Sequence, residues 1–140
     1  MTEGTRRPAT RVLIIEDDAT TLEFFEQMLV EEGYIVHAVL TCAAGLADAA
    51  VHPPDAVLLD LHLPVTDGLD CLRLLRGAPL RLAMPVAILT GDFFLDEDVS
   101  RELELLGARI HFKPVWDTDL LQIVEAMVGR GTGGRLVLPM

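Results

Sequence analysis

Apolar residues follow two alternating patterns along this chain. Short β-rich runs stand at 12–15, 34–39, 56–59, 86–89 and 109–112. Between them apolar residues recur at helical spacing: Leu22, Phe25 and Leu29, then an Ala-rich stretch over 41–51, then Leu69, Leu72 and Leu75. Val99, Leu103 and Leu106 form a fourth stripe, and Leu120, Val124, Met127 and Val128 a fifth. Local signals bound these helices. Asp18 or Thr20 caps the first and Gly33 stops it, while Pro53 and Pro54 end the second. The third runs from about Gly68 to Gly77, the fourth stops ahead of Gly107, and the fifth starts at an Asp117 cap.

The order is β-α repeated five times. Parallel neighbours need crossover connections, so this alternation predicts a parallel sheet with helices on both faces. The run Val-Leu-Ile-Ile at 12–15 suits a strand buried on both sides. The expected architecture is a doubly wound, flavodoxin-like (βα)5 domain with strand order 2-1-3-4-5. It would occupy residues 10–128, between a flexible N-terminal segment (1–9) and a glycine-rich C-terminal one (129–140).

Four of these runs end in reactive polar residues: Glu16-Asp17-Asp18, Asp60, Thr90 and Lys113. Ligands of doubly wound sheets bind outside the carboxyl ends of the strands, where the strand order reverses. For the order 2-1-3-4-5 that point lies between the first and third strands. Glu16 and Asp17 would then lie beside Asp60, with Thr90 and Lys113 adjoining.

Charge narrows the choice of partner. The 140 residues carry 22 acids against 11 bases, a net charge of -11. That balance argues against nucleic acid or an anionic membrane, because phosphate binding needs a basic surface. No apolar run is long enough for a transmembrane helix, and 1–10 lacks a signal-peptide core. Cys42 and Cys71 are too few and too far apart for a disulfide framework or a zinc site, and His37, His52, His62 and His111 show no metal-ligand spacing. The chain reads as a soluble, cytoplasmic protein.

Two carboxylates about 4 Å apart repel by roughly 4 kcal/mol at an effective dielectric of 20. Clustered acids therefore call for a cation or a proton. A hard oxygen set without histidine or cysteine suits Mg²⁺, or Mn²⁺ in its place. Such a site can neutralise a transferring phosphoryl group, with a lysine and a hydroxyl on its remaining oxygens. A carboxylate can itself be the nucleophile. The residues alone describe a Mg²⁺-dependent phosphoryl acceptor.

Four segments carry a resemblance to a known family: Val-Leu-Ile-Ile-Glu-Asp-Asp, Pro-Asp-Ala-Val-Leu-Leu-Asp-Leu-His-Leu-Pro-Val-Thr-Asp-Gly, Pro-Val-Ala-Ile-Leu-Thr-Gly and Phe-Lys-Pro. In order and spacing they resemble the receiver domains of two-component response regulators. The resemblance implies Asp60 as phosphoacceptor, Asp17 as direct metal ligand and Glu16 as its partner through metal-bound water. The backbone carbonyl of His62 would complete the metal site. It implies Thr90 as the hydroxyl that moves toward the phosphoryl group, Lys113 as its cationic partner, and a cis peptide at Lys113–Pro114. The phosphoryl donor would be a histidine kinase or a histidine phosphotransfer protein. The domain would be a signalling acceptor rather than an enzyme, beyond catalysing its own phosphorylation and dephosphorylation. The chain leaves no length for a DNA-binding output domain after residue 128, so output would be by contact with an unidentified protein. A piece of a longer regulator would read the same way, with the glycine-rich segment as its linker.

One position departs from the family. Receivers usually carry Tyr or Phe three residues before the lysine; here that residue is Ile110, which cannot make the aromatic rotamer switch. A phosphorylation-independent interaction module is the alternative that Ile110 favours. A phosphatase of the haloacid dehalogenase type would need an aspartate where His62 stands. The His62 side chain either points to solvent or controls water access to the acyl phosphate, a role Asp92 could share. Phe93-Phe94-Leu95 is expected to be partly buried and Trp116 packed, both near the output face.

Overall fold

The computed structural model describes residues 9–129. The expected terminal segments, 1–9 and 129–140, lie outside them apart from Ala9 and Gly129. The elements follow in the order β1 (Arg11–Ile15), α1 (Ala19–Glu31), β2 (Ile35–Val39), α2 (Cys42–Val51), β3 (Ala56–Asp60), α3 (Gly68–Arg76), β4 (Val86–Thr90), α4 (Glu97–Leu105), β5 (Ala108–Phe112) and α5 (Asp117–Val128). The strands form one parallel sheet in the order β2-β1-β3-β4-β5. This is the doubly wound architecture that the β-α alternation predicts.

Side chains alternate across the sheet because the strand period is two. Leu13, Ile15, Val57, Leu59, Val86 and Ile88 face α2, α3 and α4. Val12, Ile14, Leu58, Ala87 and Leu89 face α1 and α5, where Leu22, Phe25, Leu29, Leu120 and Val124 complete a second core. β3 and β4 are buried along their whole length, whereas β2 and β5 are edges with polar positions. Fully covered central strands are what continuous apolar runs require.

Helix starts follow their capping chemistry. Asp18, Thr41, Asp67 and Asp96 each accept a backbone N–H from the first turn of α1, α2, α3 and α4. The expected Asp117 cap is displaced by one residue: Trp116 holds the cap position of α5, and the Asp119 carboxylate accepts the Trp116 N–H at 3.3 Å. Gly33 ends α1 at φ +95°, a conformation open to glycine without penalty.

Two features lie outside the reading of the sequence. The sulfurs of Cys42 and Cys71 are bonded, with Cα atoms 5.8 Å apart, joining α2 to α3 inside the core. The expectation that Cys42 and Cys71 stand too far apart in the chain for disulfide bonding is therefore corrected. Sequence distance said nothing of spatial distance, because α2 and α3 pack side by side on the same sheet face. Arg73 forms a two-pronged pair with Glu102 at 2.6 Å, and the Arg76 guanidinium donates to the carbonyls of Leu82, Met84 and Leu106. These contacts tie α3 to α4. Among the described residues no helix is long and apolar enough to cross a membrane.

Candidate functional site

The carboxyl ends of β1, β3, β4 and β5 bring Glu16, Asp17, Asp60, Thr90 and Lys113 to one edge of the sheet. Glu16 follows β1 directly and is buried, its N–H held by the Val39 carbonyl at 3.1 Å. Asp17 is exposed at the rim, and Asp18 is used as the α1 cap. Asp60 is the last residue of β3 and only 6% exposed. One carboxylate oxygen from each of Glu16, Asp17 and Asp60 lies within 4.8 Å of the others.

Among the described residues a single cation meets these acids. Lys113 Nζ stands 3.0 Å from Glu16 Oε1 and 3.7 Å from Asp60 Oδ1. The Lys113 backbone N–H donates to the Thr90 carbonyl at 2.7 Å, and the Lys113–Pro114 peptide is cis. Burial, and after it the charge of Glu16, pushes the Asp60 carboxyl from 3.8 up to about 7, with Lys113 pulling the other way. Burial depresses the Lys113 ammonium, but its bond to Glu16 and the charges of Glu16, Asp60 and Asp17 outweigh this and hold it above its ordinary value. One lysine does not neutralise three acids. The site is short of positive charge and built from hard oxygens, which is the donor set a divalent cation such as Mg²⁺ fits.

The β3–α3 connection shapes the rim. Oδ1 of Asp60 accepts the His62 N–H at 3.2 Å, and Gly68 donates to the Leu61 carbonyl at 2.7 Å. A Cβ on Gly68 would lie 2.6 Å from the Asp60 carbonyl oxygen and 2.6 Å from Leu61 Cα. Only glycine permits α3 to start this close to the acceptor strand. Thr66 donates to Pro64 at 2.8 Å across Val65, which stands at φ +66° in a tight three-residue turn.

Across the mouth, Thr90 is fully buried and its Oγ1 accepts the Asp92 N–H at 3.0 Å. Asp92 Oδ2 reaches His62 Nε2 at 3.4 Å, although the His62 side chain is largely exposed. The structure thus joins these two residues while leaving them at the surface. Ile110 is half-buried against the α2–α3–α4 core. Phe112, the register partner of Thr90, stacks on Phe93 with ring centroids 5.3 Å apart.

Two expectations about packing are overturned. Phe93 and Phe94 are 64% and 95% exposed, and of that triplet only Leu95 packs on the core. Trp116 is 64% exposed and, with Thr20, Thr21, Phe24 and Pro114, lines an open apolar groove of about 620 Å³ beside Lys113. Both segments are loops that leave the sheet edge outward, so their rings have no layer to enter.

The family model for the response regulator receiver domain matches residues 12–125. The chain belongs to the response regulator receiver family. It is 35% identical over 124 residues to the cell cycle transcriptional regulator CtrA of Caulobacter vibrioides, covering 88% of this chain and 52% of that protein. To the transcriptional regulatory protein KdpE of Mycobacterium tuberculosis it is 36% identical over 126 residues, with coverages of 88% and 53%. The receiver spans about half the length of the curated relatives it matches. Among solved structures, the CheY-like receiver domain protein of Methanospirillum hungatei aligns with a TM-score of 0.78 at 30% identity, covering 86% of this chain and 94% of that one. The chemotaxis protein CheY4 of Vibrio cholerae shares the fold, with a TM-score of 0.78 at 21% identity over 86% and 99%. These relatives place the receiver in two-component signalling and do not favour the reading as a phosphorylation-independent module. Receiver domains bind Mg²⁺ at an acidic pocket, and Glu16, Asp17 and Asp60 form an acidic cluster here.

Proposed function

We propose that this receiver accepts a phosphoryl group on Asp60 from the phosphohistidine of a histidine kinase or histidine phosphotransfer protein. The observation that carries this reading is the convergence of Glu16, Asp17 and Asp60 with Lys113 in a chain of the receiver family. A carboxylate oxygen of Asp60 attacks phosphorus, the P–N bond of the donor breaks, and the imidazole leaves. Asp17, Asp60, the His62 carbonyl and, through water, Glu16 would hold Mg²⁺. When bound, the ion offsets the negative charge of the phosphoryl oxygens. Lys113 is positioned by Glu16 to bind a further phosphoryl oxygen, and Thr90 supplies a hydroxyl. The groove between α1 and 113–116 offers the partner an apolar resting surface beside the site. With Ile110 in place of an aromatic ring, the readout falls to the 90–95 loop, where Phe93 leans on Phe112. Output is by protein contact.

The test is incubation with Mg²⁺ and a small phosphodonor or beryllofluoride, with Asp60→Asn as control. With the phosphodonor an Asp60-dependent adduct of one phosphoryl mass is expected, and with either reagent changes at Phe93 and Phe112 in aromatic NMR spectra. No adduct in the wild type, or an adduct that survives Asp60→Asn, overturns the reading.

A further inference from the structure

A second cluster of metal-ligating side chains lies away from the acidic site. His37 on β2, Asp48 on α2 and His52 at the α2 C-cap each place one donor atom within 4.8 Å of the others. They contradict the expectation that the histidines lack ligand spacing. His37 pairs in register with Leu13, so it points to the sheet face that α2 covers. Asp48 and His52 are four residues apart, and the His52 N–H donates to the Asp48 carbonyl at 2.7 Å, which keeps them on one side of the helix.

His37 Nδ1 sits almost evenly between the two Asp48 oxygens, at 2.8 and 2.9 Å. The His52 ring stands edge-on to His37 with centroids 4.8 Å apart, and its imidazole makes no hydrogen bond among the described residues. A His–Asp bond alone explains the first pair and leaves His52 unused.

We infer that His37, Asp48 and His52 form a site for a borderline divalent cation such as Zn²⁺. Two imidazoles and one carboxylate suit Zn²⁺, Co²⁺ or Ni²⁺ and disfavour Mg²⁺ and Ca²⁺, which take oxygen. Ligands about 2.0–2.1 Å from Zn²⁺ at a tetrahedral angle lie about 3.3 Å apart, so the 2.8 Å His37–Asp48 distance needs to open by only about half an ångström. The cation comes between His37 Nδ1 and the Asp48 carboxylate, replacing their direct contact. Three protein ligands leave one position for water. The α2 C-terminus also favours a cation, since helix carbonyls converge there and no basic residue occupies its last turn. His52 leads into the start of β3, at the sheet edge opposite the acidic cluster. A bound ion would therefore pin the edge strand β2 to α2 without competing with the phosphoacceptor site.

The test uses the untagged full chain with its disulfide intact and excess Mg²⁺ present to hold the acidic pocket. Titration with Zn²⁺ by calorimetry is expected to show one equivalent bound, with a rise in the thermal midpoint. The imidazole NMR signals of His37 and His52 should shift while those of His111 stay. His52→Ala leaves the His37–Asp48 bond in place and is expected to weaken Zn²⁺ at least about ten-fold. Asp48→Asn should do the same, and Asp17→Asn should leave the Zn²⁺ isotherm unchanged. No binding by the wild type, unaltered affinity in His52→Ala, or binding abolished by Asp17→Asn overturns the proposal.

Discussion

Lys113 Nζ lies 3.0 Å from Glu16 Oε1 although the two residues are 97 apart in the chain. The pair closes one side of the acidic cluster and leaves Asp60 with incomplete compensation, which has a measurable consequence. Asp60 holds its proton up to about pH 7 in the folded protein and only to 3.8 in the unfolded chain. Between those values the native state binds more protons, so the stability of the metal-free protein falls as pH rises through that window. An acid displaced this far, with the opposing pull of Lys113 already included, costs about 4 kcal/mol once ionised. Asp60→Asn is therefore expected to raise metal-free stability at pH 8 by up to about 4 kcal/mol, with the difference vanishing near pH 4. Urea denaturation at the two pH values checks this. Mg²⁺ should stabilise the wild type at pH 8 and have little effect on the variant.

His62 and Asp92 face each other at 3.4 Å across the mouth of the site. We propose that they screen the acyl phosphate from an in-line water. Either His62→Ala or Asp92→Ala is expected to shorten its lifetime several-fold, by opening the water path. Single-turnover loss of phosphate from the purified adduct measures this. An unchanged lifetime in both variants would show that the pair is only surface contact.

Gly68 lets α3 begin against the acceptor strand. Gly68→Ala places a methyl group 2.6 Å from backbone atoms of Asp60 and Leu61, which a side-chain rotation cannot relieve. The expected cost is about 1–3 kcal/mol, as for other overpacked sites. Phosphorylation by a small donor should slow as well, because the displaced atoms carry the acceptor. Chemical denaturation and the rate of adduct formation report the two effects separately.

The Cys42–Cys71 bond closes 29 residues of chain between α2 and α3. A loop of that length restricts the unfolded chain enough to contribute about 3–4 kcal/mol. Denaturation with and without reductant should show that loss, and Cys42→Ala/Cys71→Ala should make stability independent of reductant.

The sequence by itself determined the architecture and the acidic site. Val12 to Ile15, Ala56 to Leu59 and Val86 to Leu89 announce buried parallel strands. Once the sheet is doubly wound, Asp17, Asp60, Thr90 and Lys113 must meet, because each stands at the carboxyl end of its strand or within two residues of it, and all those ends lie on one edge. Contacts between elements were decided only by the tertiary structure. Cys42 meets Cys71, and His37 meets Asp48 and His52, because α2 lies over one face of the sheet at one particular rotation and height. Apolar periodicity records which helix face is buried, not which residues of two elements lie level. For the same reason Phe93, Phe94 and Trp116 are hydrophobic by composition and exposed in fact: they leave the sheet edge where no layer remains to cover them.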